Sequence, residues 1–211
     1  MHRSSLAVLF VIGLGSLLTC CGTGRTVRGS VLRSSRLPAV TIGVQPSFRY
    51  VGRFSFALGS AFEGERFIFA DAEGKSLRRM VILQFERVRP SSSEMYRYSF
   101  ARAEHIGSLS FIQNCFAFPG AQAIETQPRD EGGMTNNFLL ERGFQMPSTW
   151  LAARFVTLGA SDRKSEMIIF YMEANDHLHL SDLYAGDEPT AAWAAMKPAL
   201  LARARAAFTI E

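Results

Sequence analysis

Glu173, Asp176, His177, His179 and Asp182 fall within one short stretch of the chain. Imidazole and carboxylate together suit a divalent transition metal. His177 and His179 are two apart, so on a strand they would share a face. A metal there would need a third and fourth ligand at about 2.0–2.2 Å. The same residues also suit a polar strand end, and we take that reading. Cys115 with His105 is a second grouping. A thiolate nucleophile needs a base or a positive field beside it. Cys115, however, lies between Asn114 and Phe116 in an apolar run, and cysteine is among the residue types most often buried. Glu63, Glu65, Glu86, Asp130, Glu131, Glu141 and Glu166 are scattered, and no spacing forces any two together. The chain contains no nucleophile elbow, P-loop, zincin helix or dinucleotide-binding glycine motif. The sequence therefore assigns no catalytic residue, no metal ligand and no cofactor.

The elements that would position these groups are mostly strands. From Ser47 the pattern has period two. Phe48, Tyr50, Phe54, Phe56 and Leu58 share one face, with Arg49, Arg53 and Ser55 on the other. Phe67 and Phe69, then Val81, Leu83 and Phe85, mark two further strands. Asp71 to Ser76 turns between them, and a hairpin is expected. Tyr96, Tyr98 and Phe100 alternate as a short strand, and Ser110 to Phe118 forms another. Thr135 to Arg142 reads as a short helix, with Thr135 as N-cap and Gly143 just past its end. Trp150 to Leu158 and Glu166 to Glu173 are two more strands, joined through a turn.

The last element is helical. Trp193, Met196, Leu200, Leu201 and Ala204 recur at helical spacing, with Asp187 as the expected N-cap. Pro198 inside that stretch is expected to kink or split the helix. Phe208 and Ile210 suit a terminal strand fragment. About six strands with one or two helices predict an α+β fold: mainly antiparallel sheet, with the C-terminal helix packed on one face. The alternation predicts one buried sheet face rather than two.

The chain has 211 residues, 47% hydrophobic and 20% charged, with 3 Cys and a formal charge of +4. That excludes a disordered chain and a disulfide scaffold. The one long apolar run, Leu6 to Leu18, is too short to span a bilayer and has the length of a signal-peptide core. Aromatic residues make up 11% of the chain. Most must form the core, and any left uncovered would line an apolar groove.

Leu17-Leu18-Thr19-Cys20-Cys21-Gly22 follows the apolar run. Here the sequence resembles bacterial lipoprotein precursors, whose lipobox ends on the acylated cysteine. Two registers fit. Leu18-Thr19-Cys20 before Cys21 is preferred, and Leu17-Leu18-Thr19 before Cys20 is the alternative. The resemblance covers only this N-terminal stretch. It implies a signal peptide over residues 1–20, a diacylglyceryl thioether on Cys21, N-acylation of the new terminus and a cell-envelope location. Gly22 in place of Asp implies the outer membrane, facing the periplasm, in a Gram-negative source.

Residues 21–46 read as a basic tether carrying Arg25, Arg28, Arg33 and Arg36, with Val40 to Val44 as a possible first strand. No acidic residue precedes Glu63. This stretch suits a solvated linker, or contact with anionic lipid or cell-wall polymer. Nucleic acid is not expected as a partner of an exported protein. Residues 47–211 are then a single α+β domain. The expected function is that of a lipid-anchored, non-catalytic binding or assembly module. The alternatives are an anchored hydrolase or metal-dependent enzyme, and a carrier of an apolar ligand.

Overall fold

The structure, a computed structural model, describes residues 24–120 and 130–211. The expected signal segment, Cys20 and Cys21 lie outside the described residues. The fold is mostly antiparallel β-sheet with a C-terminal helix.

Two meanders build the main sheet. The first is β4 (Arg49–Leu58), β5 (Phe62–Glu73) and β6 (Ser76–Val88); the second is β7 (Glu104–Ile106), β8 (Leu109–Pro119), β9 (Thr149–Leu158) and β10 (Ser165–Asn175). They join at β6 and β10, giving the order β4-β5-β6-β10-β9-β8-β7. The expected hairpin is present and longer than predicted, with Glu73 opposite Ser76 across a turn at Gly74 and Lys75. Tyr96 to Phe100 does not form a strand; it runs over the end of the sheet without regular structure.

Both faces of the main sheet are buried, contrary to the alternation argument. Val81, Leu83 and Phe85 of β6 point into one apolar cluster, while Met80 and Ile82 point into a second. The apolar runs of β6, β9 and β10 are continuous because both sides have a cover. Likewise the aromatics of β4 do not share one face. The strand's register shifts between Tyr50 and Gly52, and the extra residue of a bulge reverses every later side chain. Phe48 therefore joins the first cluster and Phe54 the second. Gly52 sits at that shift with φ +141°, where a Cβ would lie 3.0 Å from the Phe138 ring.

The tether reading is corrected. Residues 25–44 hold β1 (Arg25–Arg28), β2 (Val31–Ser34) and β3 (Val40–Val44). With β13 (Phe208–Ile210) they form a second sheet, ordered β1-β2-β3-β13. Leu32, Val40, Ile42 and Val44 are buried in the first cluster. Once β3 and β13 pair, these four have an apolar surface to pack against, and that outweighs the charge of the neighbouring arginines.

Helices α1 (Glu131–Leu140), α2 (Leu180–Leu183) and α3 (Ala191–Ala206) complete the described chain, with two-residue strands β11 (Tyr184–Ala185) and β12 (Glu188–Pro189) between the last two. Phe138 and Leu139 of α1 belong to the second cluster, and Trp193, Leu200 and Ala204 of α3 to the first. α3 runs through Pro198 as one helix rather than two, and Thr190, not Asp187, caps it by accepting from the Trp193 N–H. α1 starts earlier than predicted. Asp130 is its N-cap, and Thr135 is buried within it. Among the described residues no helix is long and apolar enough to cross a membrane.

Candidate functional site

The residues with metal-ligating chemistry do not converge. His177 and His179 follow β10 in an exposed turn. The Asp182 carboxylate accepts from the His179 backbone N–H at 2.8 Å. Asp176 accepts from the Ser148 N–H at 2.9 Å. Glu173 holds Arg203 through two bonds of 2.6 and 2.8 Å. Burial alone would raise the Glu173 carboxyl, but the bonds from Arg203 and Tyr171 more than offset it and hold it below the usual carboxylate range. Each carboxylate is thus occupied in closing a turn or pairing an arginine. No group of three or more His, Cys, Asp or Glu side chains among the described residues is arranged to hold a metal.

Cys115 and His105 are also apart. Cys115 lies opposite Ala153 on β9, whereas His105 on β7 pairs with Ser110. Cys115 is half-buried, and burial pushes its thiol up to about 11. A thiol held protonated at neutral pH is a poor nucleophile.

The carboxylates without a spacing signal are the ones brought together. Glu86 on β6 and Glu166 on β10 are direct cross-strand partners, and Glu131 reaches them from the first turn of α1. Glu86 is 7% exposed and Glu166 2%. Arg66 on β5 and Gln84 on β6 lie opposite each other one step further into the sheet. The Arg66 guanidinium donates to Gln84 Oε1, to Thr135 Oγ1 at 2.6 Å and to the Glu131 carbonyl at 2.5 Å. The Gln84 amide donates to Glu86 Oε1 and, at 2.8 Å, to Glu131 Oε1. Tyr96 donates to Glu86 Oε2 at 3.3 Å. Tyr96 and Tyr98 stack across the end of the strands, with ring centroids 6.3 Å apart.

The electrostatics follow from the crowding. Burial, then Glu131 and Glu166, push the Glu86 carboxyl up to about 8. Burial is also the largest cause for Glu166, raised to about 7, with the Tyr98 bond opposing it. Burial lowers Arg66, and Glu131 and Glu86 oppose that. Like charges at this separation cannot all ionise, so the pair holds protons near neutral pH. A carboxylic acid kept protonated there can donate a hydrogen bond or a proton. Glu166 Oε2 is buried with no hydrogen-bond partner among the described residues.

Glu86 also lines a cavity of about 710 Å³ where the starts of β5 and β10 and the end of β6 approach the loop between β2 and β3. Its walls carry both charges. Arg25 donates to Glu65 at 3.0 Å and lies 4.1 Å above the Phe85 ring. Arg87 donates to Glu63 at 2.6 Å. Gly64 is required opposite Glu86: a Cβ there would lie 2.4 Å from the Phe56 ring and 3.0 Å from Glu86 Cγ. Arg66, Gln84, Tyr96 and Tyr98 were missed in the sequence. A signal for one of them exists, since Gln84, followed by Glu86, continues the one-face series begun by Met80 and Ile82.

No known protein family, curated protein or solved structure matches the chain.

Proposed function

We propose that this chain is a lipid-anchored cell-envelope protein whose domain is a non-catalytic binding module, with the C-terminal helix covering one face of the main sheet. The anchor is Cys21, with Cys20 as the other register. In a Gram-negative source the domain faces the periplasm from the outer membrane. The lipobox-like stretch supports the anchor. The cavity at the strand ends carries the binding reading. Its volume lies within the range of small-molecule sites, and its mixed charged and aromatic walls favour a polar ligand over an apolar one.

Two measurements test this. Cys21→Ala abolishes palmitate labelling and leaves an unprocessed precursor; full labelling of that variant moves the anchor to Cys20. Native mass spectrometry of the mildly extracted protein shows a bound polar molecule. Ser55→Trp, an exposed wall position, displaces it. An empty parent protein, or equal occupancy in the variant, overturns the binding reading.

One observation favours a second reading, an anchored hydrolase: the Glu86 carboxyl, paired across the strands with Glu166, holds a proton where it lines the cavity. Turnover of nitrophenyl esters or glycosides that Glu86→Gln abolishes would establish it. A parent protein without turnover on these substrates leaves the binding reading in place.

A further inference from the structure

The folding of residues 25–44 changes where the domain must sit. Three residues separate Cys21 from Arg25, the first residue of β1. An extended chain spans at most about 3.6 Å per residue, so β1 begins within about 14 Å of the acylated cysteine whatever path those residues take. In sequence the first charged groups after the anchor are those of the β1–β2 hairpin, and the Arg36 side chain just beyond it lies beside Gly24. Its register pairs Thr26 with Arg33 and Arg28 with Val31. These four residues share one side and line a shallow concavity of about 380 Å³. Leu32, on the opposite side, is fully buried in the first cluster. Arg28 and Arg33 are exposed, and neither is ion-paired among the described residues. Arg25 is different: it is turned inward onto Glu65 and Phe85.

Resting on the lipid-anchor reading, we propose that the outward side of the β1–β2 hairpin is a docking surface for anionic lipid headgroups, with Arg28 and Arg33 as its contacts. Charge complementarity and the short connection to the anchor select this occupant. The hairpin itself contains no acidic residue, and Glu65, which approaches it from β5, is paired with Arg25. At a Debye length of about 8 Å, an arginine held at the membrane surface still feels the anionic potential. The hairpin then lies flat on the bilayer, and β1, an edge strand, turns its unpaired side along the membrane.

The test uses the full chain with Cys20 and Cys21 both changed to Ser, so that no acyl chain contributes. Binding is compared on phosphatidylglycerol-containing and pure phosphatidylcholine vesicles. The parent binds the anionic vesicles more tightly, and this increment shrinks as salt is raised. Arg28→Ala and Arg33→Ala each reduce the increment about fivefold, the equivalent of about 1 kcal/mol per arginine. The double lysine variant, which keeps both charges, retains it. Thermal unfolding of each variant confirms that these exposed substitutions leave the fold intact. A parent with no increment, or a double alanine variant with an unchanged one, overturns the proposal and leaves the arginines to another partner or to solvent. Palmitate labelling of the native precursor is read separately, so failure of the anchor and failure of the surface are distinct results.

Discussion

Glu86 and Glu166 hold protons that the unfolded chain would release. Their folded values, about 8 and about 7, lie above an unfolded carboxylate near about 4.3. Between those limits the native state binds more protons than the unfolded one, so stability falls as pH rises. The contribution is fully present below about pH 4 and is lost by about pH 8. Glu173, held low by Arg203 and Tyr171, acts in the opposite sense and loses its contribution in acid. Melting curves from pH 5 to pH 9 are expected to show a declining Tm. Glu86→Gln should flatten the decline and gain stability of order 1–3 kcal/mol at pH 8.5. An unchanged slope in that variant would mean that Glu86 is ionised throughout. Of this cluster only the polar interruption at Gln84 and Glu86 was legible in the sequence. Glu166 stands 80 residues further along and meets Glu86 only because the two meanders join at β6 and β10.

At the scale of elements, the strands with clear alternation were legible, and the corrections fall where a neighbour changes the meaning of a residue. Val40, Ile42 and Val44 alternate cleanly, so β3 was readable. β1 and β2 are four residues each, and their arginines concealed the inward series of Val27 and Leu32. Leu32→Ala separates the readings. A tether residue would cost nothing, whereas a fully buried leucine should cost about 2–5 kcal/mol on denaturant titration. Pro198 was expected to kink or split the helix, but the packing of Trp193 and Leu200 on either side carries α3 through it as one helix. The missing hydrogen bond remains a local cost. Pro198→Ala should therefore raise stability by about 1–3 kcal/mol, read as a higher denaturation midpoint. The β4 bulge left no periodic signal beyond Gly52 itself, so the division of the Phe48-to-Leu58 aromatics between two faces could not be anticipated.

At the scale of the molecule, the α+β class was legible because strand and helix patterns segregate along the chain. The second sheet was not, because its strands come from opposite ends of the sequence. Phe208 faces Val44 and Ile210 faces Ile42, and both Phe208 and Ile210 are buried. Deleting residues 208–211 removes this strand and bares the edge of β3. The lost burial, at about 3–5 kcal/mol for the phenylalanine alone, rivals the whole stability of an ordinary domain. The truncated chain should lose its cooperative melting transition; retention of a sharp transition would show that β13 is dispensable.

The pairing of β13 with β3 also sets a schedule. Translation delivers the first three strands early, yet their sheet cannot close until the last residues emerge, some 160 positions later. Contacts so distant in sequence form slowly. The nascent chain therefore spends most of its synthesis with β3 unpaired on that side and the first cluster without Phe208 and Ile210. The second sheet is thus completed only when residues 208–210 are available to pair with β3.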